Sequence, residues 1–392
     1  MSGAAVVFLT SLSALPVSYI WDTIAHLKDQ KLIFLTSCIS FGAVTAVPYL
    51  VLRKKVQKVD QFCVLCLLLF QSVLSLAIAM ENDGLIAEFL GYYLREGEPY
   101  LKSAHGTMIS YWDGIAHYGM YLMMLAAVSW NQSFHDVGLY WAGSFAYSKL
   151  VLILAVLIGK DGARLPFLLH FPALAICAVM FVKFLNEKLD ESYQIAKELN
   201  KEGTKNITTL RIWKRPFDLT LFAYYGFASC FTLFRFTAAF GSEMTLAKWY
   251  CEKLEPYLTD PLPYARTQLM VQTFYFVPYN LLSMYSLVKM GQSWVTRWSL
   301  VYAGAAAQGQ FSFMGSSFHY RTPYIHRLPQ TGWARMFFWL FNGLLFAAPQ
   351  VAAYRCLNNP NFYLQEQELE PVEHTSSVVG NGANLMSAKK ID

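Results

Sequence analysis

The chain has 392 residues, of which 55% are apolar, 16% aromatic and 15% charged. Soluble domains carry about 25% charged residues, a soluble fold could not bury this much apolar surface, and a disordered chain would not contain it. The net charge of +5 forms no basic face interleaved with polar readers, so nucleic acid is not an expected partner. What remains is an all-α polytopic membrane protein.

Apolar stretches of roughly 20 residues, enough to cross a bilayer as a helix, recur along the chain. They are predicted near 4–21, 32–52, 62–80, 106–130, 138–158, 165–186, 217–240, 267–288, 298–315 and 334–355, about ten transmembrane helices. The first lacks the positive segment of a cleaved signal, so it is expected to be retained, with a kink at Pro16. Spans eight and nine are the weakest, because 268–318 is rich in Gly, Ser and Gln.

Lys and Arg set the orientation. One side collects Arg53, Lys54, Lys55 and Lys58, then Lys188, Lys197, Lys201, Lys205, Arg211, Lys214 and Arg215, then Lys289, Arg297 and the tail lysines. That side is expected to be cytoplasmic, with both termini on it. The sequons at Asn131 and Asn206 then face the cytosol, where no glycosylation occurs, and are chance matches. The chain ends Lys389-Lys390-Ile391-Asp392, the dilysine arrangement that coat proteins read for retrieval to the endoplasmic reticulum.

Seven cysteines support no disulfide framework, since five lie within spans. Cys63 and Cys66 have half-site spacing, but they sit in an apolar run with no partner pair and are expected to pack.

The chain repeats itself. Glu98-Pro-Tyr-Leu101 is matched by Glu255-Pro-Tyr-Leu258, and Tyr140-Trp-Ala-Gly143 by Val301-Tyr-Ala-Gly304. The expected unit is four helices, spans three to six and then seven to ten, preceded by two additional helices. The division is therefore 1–58 for the two N-terminal helices, 59–186 for the first unit, 187–215 for a cytoplasmic linker, 216–356 for the second unit, and 357–392 for a disordered cytoplasmic tail.

Gly97-Glu-Pro-Tyr-Leu101, Tyr111-Trp-Asp-Gly114 with Ala116-His-Tyr118, Arg215-Pro-Phe-Asp218, Gln308-Gly-Gln-Phe-Ser312 and Ala353-Tyr-Arg-Cys356 resemble the transmembrane 6 superfamily. The likeness runs from Ser11 to about Phe362, and the segment Leu139–Ser148 favours one branch of that family. The resemblance implies two EXPERA units, the four-helix module also found in the sterol isomerase emopamil-binding protein and in the sigma-2 receptor. It implies residence in the endoplasmic reticulum and the ER-Golgi intermediate compartment. It also implies a role in lipoprotein lipidation, triglyceride secretion, cholesterol handling and lipid-droplet content. The implied partners are a membrane lipid or sterol and lipoprotein-assembly or lipid-metabolism proteins of the endoplasmic reticulum; no cofactor or metal is implied.

Ionisable residues inside a span are expensive and usually face the bundle interior. Asp113 and His117 lie four residues apart on span four, hence on one helical face, flanked by Tyr111 and Trp112. They suit a polar anchor for a lipid hydroxyl, a proton relay, or an interhelical pair that only holds the bundle. Lys149, mid-span, is expected to seek a partner such as Asp113, whereas Arg235 lies near a span end and is expected to reach the interface. Gln310 and Asn342 could line a pocket or join helices, while His105 and His170 stand alone near span ends.

Likeness to the sterol isomerase sharpens the enzyme question. That enzyme uses a His and an acid four residues apart on its second helix, an acid on the next helix and an Asn on its last. Here the corresponding positions fall at Ser72, Leu76, Asp113 and Asn342, with Asn342 in the other unit. Shifting a double bond needs an acid and a base, and that set is incomplete. Two functions follow from different classes: a non-enzymatic lipid-handling or lipid-sensing membrane protein, and, as the alternative, a sterol Δ8–Δ7 isomerase-like enzyme in which His117 substitutes for the missing His.

Overall fold

The computed structural model describes residues 2–358 apart from 57, 88, 161, 187–210 and 290. The dilysine pair Lys389 and Lys390, the tail around it and most of the charged linker lie outside the described residues. Every regular element among the described residues is helical.

α1 (Gly3–Leu12) and α2 (Ala14–Ala25) run on from each other with a break at Ser13. Pro16 explains the break: its ring opposes the carbonyl four residues back, at Leu12, so the interruption falls before the proline rather than at it. Next come α3 (Gln30–Leu52) and α4 (Val59–Asn82), then the short α5 (Gly91–Glu96). α6 (Ala104–Trp112) continues through a π-helical turn at Asp113–His117 into α7 (Tyr118–Ser129). α8 (His135–Ile158) and α9 (His170–Asn186) end the N-terminal half.

The C-terminal half begins with α10 (Pro216–Ala239) and α11 (Thr245–Lys253). α12 (Tyr264–Val271) again passes through a π-helical turn, Gln272–Phe276, into α13 (Val277–Val288). α14 (Trp294–Phe318) and α15 (Gly332–Asn358) close the described chain.

Among the described residues, seven helices are long and apolar enough to cross a membrane: Gly3–Ala25, Gln30–Leu52, Val59–Asn82, His135–Ile158, Leu165–Asn186, Pro216–Ala239 and Gly332–Asn358. The stretches expected at 106–130 and 267–288 are helical too, but each is divided by its π-helical turn. α14 has the length but carries Gln308, Gln310 and several Ser and Gly side chains, nearly all buried inside the bundle. A helix sheathed by other helices need not be apolar, which is why hydropathy marks it weakly.

α8 and α14 form the centre. Gly143 and Gly304 face each other across it, and a Cβ on Gly143 would collide with the Val301 carbonyl while one on Gly304 would collide with the Tyr140 carbonyl. Only glycine lets two backbones approach so closely. At the periphery, α3 and α9 turn Leu35, Ile39, Leu50, Val179 and Val182 outward. An apolar exterior around a core rich in buried polar groups is the arrangement of a multi-pass membrane protein.

Candidate functional site

The motif Glu98-Pro-Tyr-Leu101 builds the mouth of the site. Pro99 starts a short 3₁₀ turn, Pro99–Lys102, and Ser103 then caps α6 by accepting from the Gly106 amide at 3.0 Å. Proline suits the first position of such a turn because its missing N–H is not needed there. The turn directs Glu98 inward, where only 5% of it is exposed. Its carboxylate lies 2.9 Å from His170 Nε2 and accepts from the Tyr93 hydroxyl at 3.0 Å and from the Tyr100 hydroxyl. Burial pushes the Glu98 carboxyl up, but His170 and the two tyrosines outweigh it and hold the group below the ordinary carboxylate range.

Further in, the π-helical turn presents Asp113. Gly114 lets that turn press against α4, since a Cβ there would lie 2.6 Å from Leu76 Cβ. π-Helical turns inside α-helices concentrate at functional positions. Asp113 Oδ2 accepts from Lys149 Nζ at 2.8 Å, the partner expected for that lysine, and Oδ1 lies 2.9 Å from His117 Nδ1. This second approach is a close carboxylate–imidazole contact four residues along the same helix. On its other side, His117 Nε2 meets Ser144 Oγ at 2.8 Å, and the same oxygen accepts from Trp112 Nε1 at 2.8 Å. Asp113, His117 and Lys149 are all buried.

Glu98, His170, Asp113 and Lys149 share the wall of one narrow cavity of about 50 Å³. Apolar side chains of α2, α3, α4 and α8, including Trp21, Phe41, Leu74 and Leu152, complete it. The N-terminal helices thus contribute to the site, and His117 turns away from the cavity toward Ser144. A water needs at least about 10–15 Å³ of such space, so the cavity admits a few waters or one small polar head, not a lipid body.

The remaining sequence candidates lie elsewhere. Tyr111 donates to Asp83 at 2.8 Å, beside His319 at 2.9 Å from the same carboxylate, in a cluster at the end of α4. Asn342 donates to Glu255 at 2.8 Å, and Glu255 also pairs with Arg235 at 2.9 Å. Arg235, expected to reach the interface, is instead sealed inside: it is 1% exposed, with its guanidinium 4.3 Å from the centre of the Phe313 ring. A carboxylate from the next loop reaches it more cheaply than it could reach water. Gln310 is buried on α14, its carbonyl oxygen lacking a hydrogen-bond partner.

Sequence reasoning missed Glu98, His170 and Ser144 as members of the site. A signal existed for Glu98, the acid of the repeated Glu-Pro-Tyr-Leu motif, but the motif was legible only as evidence of duplication. His105, which looked solitary, stacks on Tyr264 of the other half at 4.9 Å between ring centres.

A family profile described as Transmembrane 6 superfamily member 2-like, transmembrane domain, matches residues 13–194. The chain is 35% identical to transmembrane 6 superfamily member 2 of Mus musculus over 356 residues, 90% of this chain and 92% of the relative. It is also 35% identical to the Homo sapiens protein over 364 residues, 92% of this chain and 95% of the relative. The chain belongs to the transmembrane 6 superfamily. The buried Asp113–Lys149 and Glu98–His170 pairs are thus features of a multi-pass membrane protein of that superfamily. No solved structure matches the chain.

Proposed function

We propose that this transmembrane 6 superfamily protein handles or senses lipid, sterol or triglyceride, in the endoplasmic reticulum and the ER-Golgi intermediate compartment. In doing so it regulates lipoprotein lipidation, triglyceride secretion and lipid-droplet content. The observation that carries the reading is the narrow cavity with Asp113 and Lys149 in a wall otherwise mostly apolar. A bilayer lipid can present a hydroxyl there to donate to the Asp113 carboxylate, or an ester oxygen to accept from Lys149 Nζ. Membership of the superfamily supports the cellular setting.

The test is lipid photo-crosslinking normalised to folded protein. Asp113→Asn alone would leave Lys149 buried without its counter-charge, a change that costs about 3–5 kcal/mol. The informative variant is Asp113→Asn with Lys149→Gln, which neutralises both groups and keeps their shape. Lost labelling in a well-folded double variant supports the reading; unaltered labelling leaves only a packing role.

The isomerase alternative has one observation in its favour: an imidazole, His170, and the carboxylates Glu98 and Asp113 face the same cavity. Against it stand Ser72 and Leu76 at the positions of the required His and acid, and a cavity of about 50 Å³, where ligand pockets run to roughly 300 Å³ or more. Product analysis of the purified protein with a Δ8 sterol decides between the two.

The same proposal includes ten spans with both termini cytoplasmic, and two four-helix units, 59–186 and 216–356, behind two leading helices. It is supported by the recurrence of one local design: Glu98 (φ −133°, ψ 64°) and Glu255 (φ −134°, ψ 68°) share a backbone, and each precedes a 3₁₀ turn, a helix and a π-helical turn. A glycosylation acceptor inserted near Tyr257 should be modified, and one near Gly380 should not. Replacing Lys389 and Lys390 by Ser should release the protein toward the Golgi; unchanged localisation would remove the retrieval signal.

A further inference from the structure

Asp113 stands on the π-helical turn that follows α6, and Lys149 stands on α8. These two segments pack less on each other than on a third helix, α14, which belongs to the other half. α8 crosses α14 backbone on backbone at Gly143 and Gly304. α6 lies along α14 in an antiparallel register. The Phe311 and Trp112 rings are 5.1 Å apart between centres, a Cβ on Gly315 would lie 2.3 Å from Met108 Sδ, and the Arg321 guanidinium donates to the Lys102 carbonyl at 3.1 Å. Phe311 and Gly315 are four residues apart, as are Met108 and Trp112, so one face of each helix makes the seam. At the end of α14, His319 lies 2.9 Å from Asp83, whose other oxygen accepts from the Tyr111 hydroxyl at 2.8 Å.

The direct ties between the π-helical turn and α8 are side-chain bonds, those of Trp112 and His117 to Ser144 and the Asp113–Lys149 pair itself. α4 supports the turn from the opposite side, through Leu76 against Gly114, but packs little on α8. The seating of the two segments relative to each other therefore runs through α14. A hydrogen bond weakens steeply once it is stretched, and Asp113 meets Lys149 at 2.8 Å. Because Asp113 follows directly on α6, a displacement of α6 away from α14 is carried to the carboxylate while Lys149 stays with α8. The lysine can follow only by leaving its place 5.2 Å from the centre of the Phe145 ring. No residue of α14 is among those lining the Asp113 cavity, so α14 acts on that site through α6.

We propose that α14 of the second half is a positioning helix for the polar site of the first: Phe311 and Gly315 set the seat of α6 and thereby hold Asp113 against Lys149. The inference deepens the lipid-handling reading by naming what tunes its site, and rests on that reading only for the lipid readout.

The test uses the full chain in phosphatidylcholine nanodiscs. Gly315→Val thickens the seam by pressing on Met108, and Met108→Ala gives the room back. A double-mutant cycle crosses Gly315→Val with Asp113→Asn/Lys149→Gln and reads the thermal midpoint. Distant sites that share no partner add, so a glycine that only packs should give additive shifts. A positioning role should make the shifts non-additive by about 1 °C or more, and additivity should return when Met108→Ala is included. Photo-crosslinking with diazirine-bearing cholesterol and diacylglycerol probes, normalised to folded protein, should fall about two- to thirty-fold in Gly315→Val, the range for coupling between separated positions. It should recover in Gly315→Val/Met108→Ala. Phe311→Leu, which withdraws the ring from Trp112, takes the place of Gly315→Val in the cycle if that variant does not fold. Additive shifts, or a loss that Met108→Ala does not reverse, overturn the positioning role. If neither probe gives a crosslink that Asp113→Asn/Lys149→Gln removes, the lipid-handling reading falls while the cycle still decides the role of α14.

Discussion

The two Glu-Pro-Tyr turns have the same backbone and bury the same carboxylate, yet they are used differently. Glu98 meets His170 and two tyrosine hydroxyls at the wall of a cavity. Glu255 meets Arg235 and Asn342 under an aromatic lid formed by Phe313 and Phe231. Arg235 is always charged and both it and Glu255 are only 1% exposed, whereas Glu98 and His170 lie at a cavity wall that water can reach. One turn therefore closes a buried clasp, and the other sets its carboxylate at the wall of a cavity. The lesson is that a duplicated motif specifies where a carboxylate goes; the residue delivered by a distant helix specifies what the carboxylate does.

The comparison breaks most visibly at Glu255. Glu255→Ala leaves Arg235 buried and unpaired and should cost about 3–5 kcal/mol, read as a collapse of folded yield and thermal midpoint. Removing the whole pair, Arg235→Met with Glu255→Leu, should recover most of that loss. No recovery would mean that the cluster has a role beyond pairing.

Glu98→Ala should cost less, about 1–3 kcal/mol, because waters in the adjoining cavity can take over from the carboxylate toward Tyr93, Tyr100 and His170. A loss equal to that of Glu255→Ala, in thermal unfolding of matched detergent samples, would erase the distinction between the two turns.

The smallest effect is the pH dependence. The Glu98 carboxyl is held below its ordinary value of 4.5 in the fold, so its stabilisation is complete above that pH and is lost as pH falls through the lowered value. The thermal midpoint of the native chain should therefore drop toward that of Glu98→Gln below about pH 4.5, with the full gap restored above it. A gap independent of pH down to the lowest pH the fold withstands would show that the carboxyl is not perturbed.

Much of the site was legible in the sequence. Four-residue spacing put Asp113 and His117 on one face, and the cost of a mid-span charge pointed Lys149 toward Asp113. The rest required contacts that spacing does not encode. His170 meets Glu98 across 72 positions, and no local pattern links them. The π-helical turns change hydrogen bonding from i+4 to i+5 over a single turn, and the mean hydropathy that marks a span does not register so local a change. Arg235 was misread because its place along the helix says how near the interface is, and nothing about which carboxylate is nearer. Helicity and multi-pass character were plain from composition. α14 was faint because the small and polar residues that let it lie against α8 are those that lower its hydropathy.

At the crossing of α8 and α14, backbone lies on backbone, with glycine on both sides. The two backbones there are about as close as helices can lie, and on either side of the crossing side chains such as Tyr147, packed on Gly309, lock the pair. Gly143 and Val301 belong to that joint and also line an apolar cavity of about 280 Å³ beside it, so the seating of the two helices and the side chains around them, Phe181 and Trp298 among them, fix its width together. Any side chain in place of either glycine would have to drive the two helices apart, and with them the halves that they anchor.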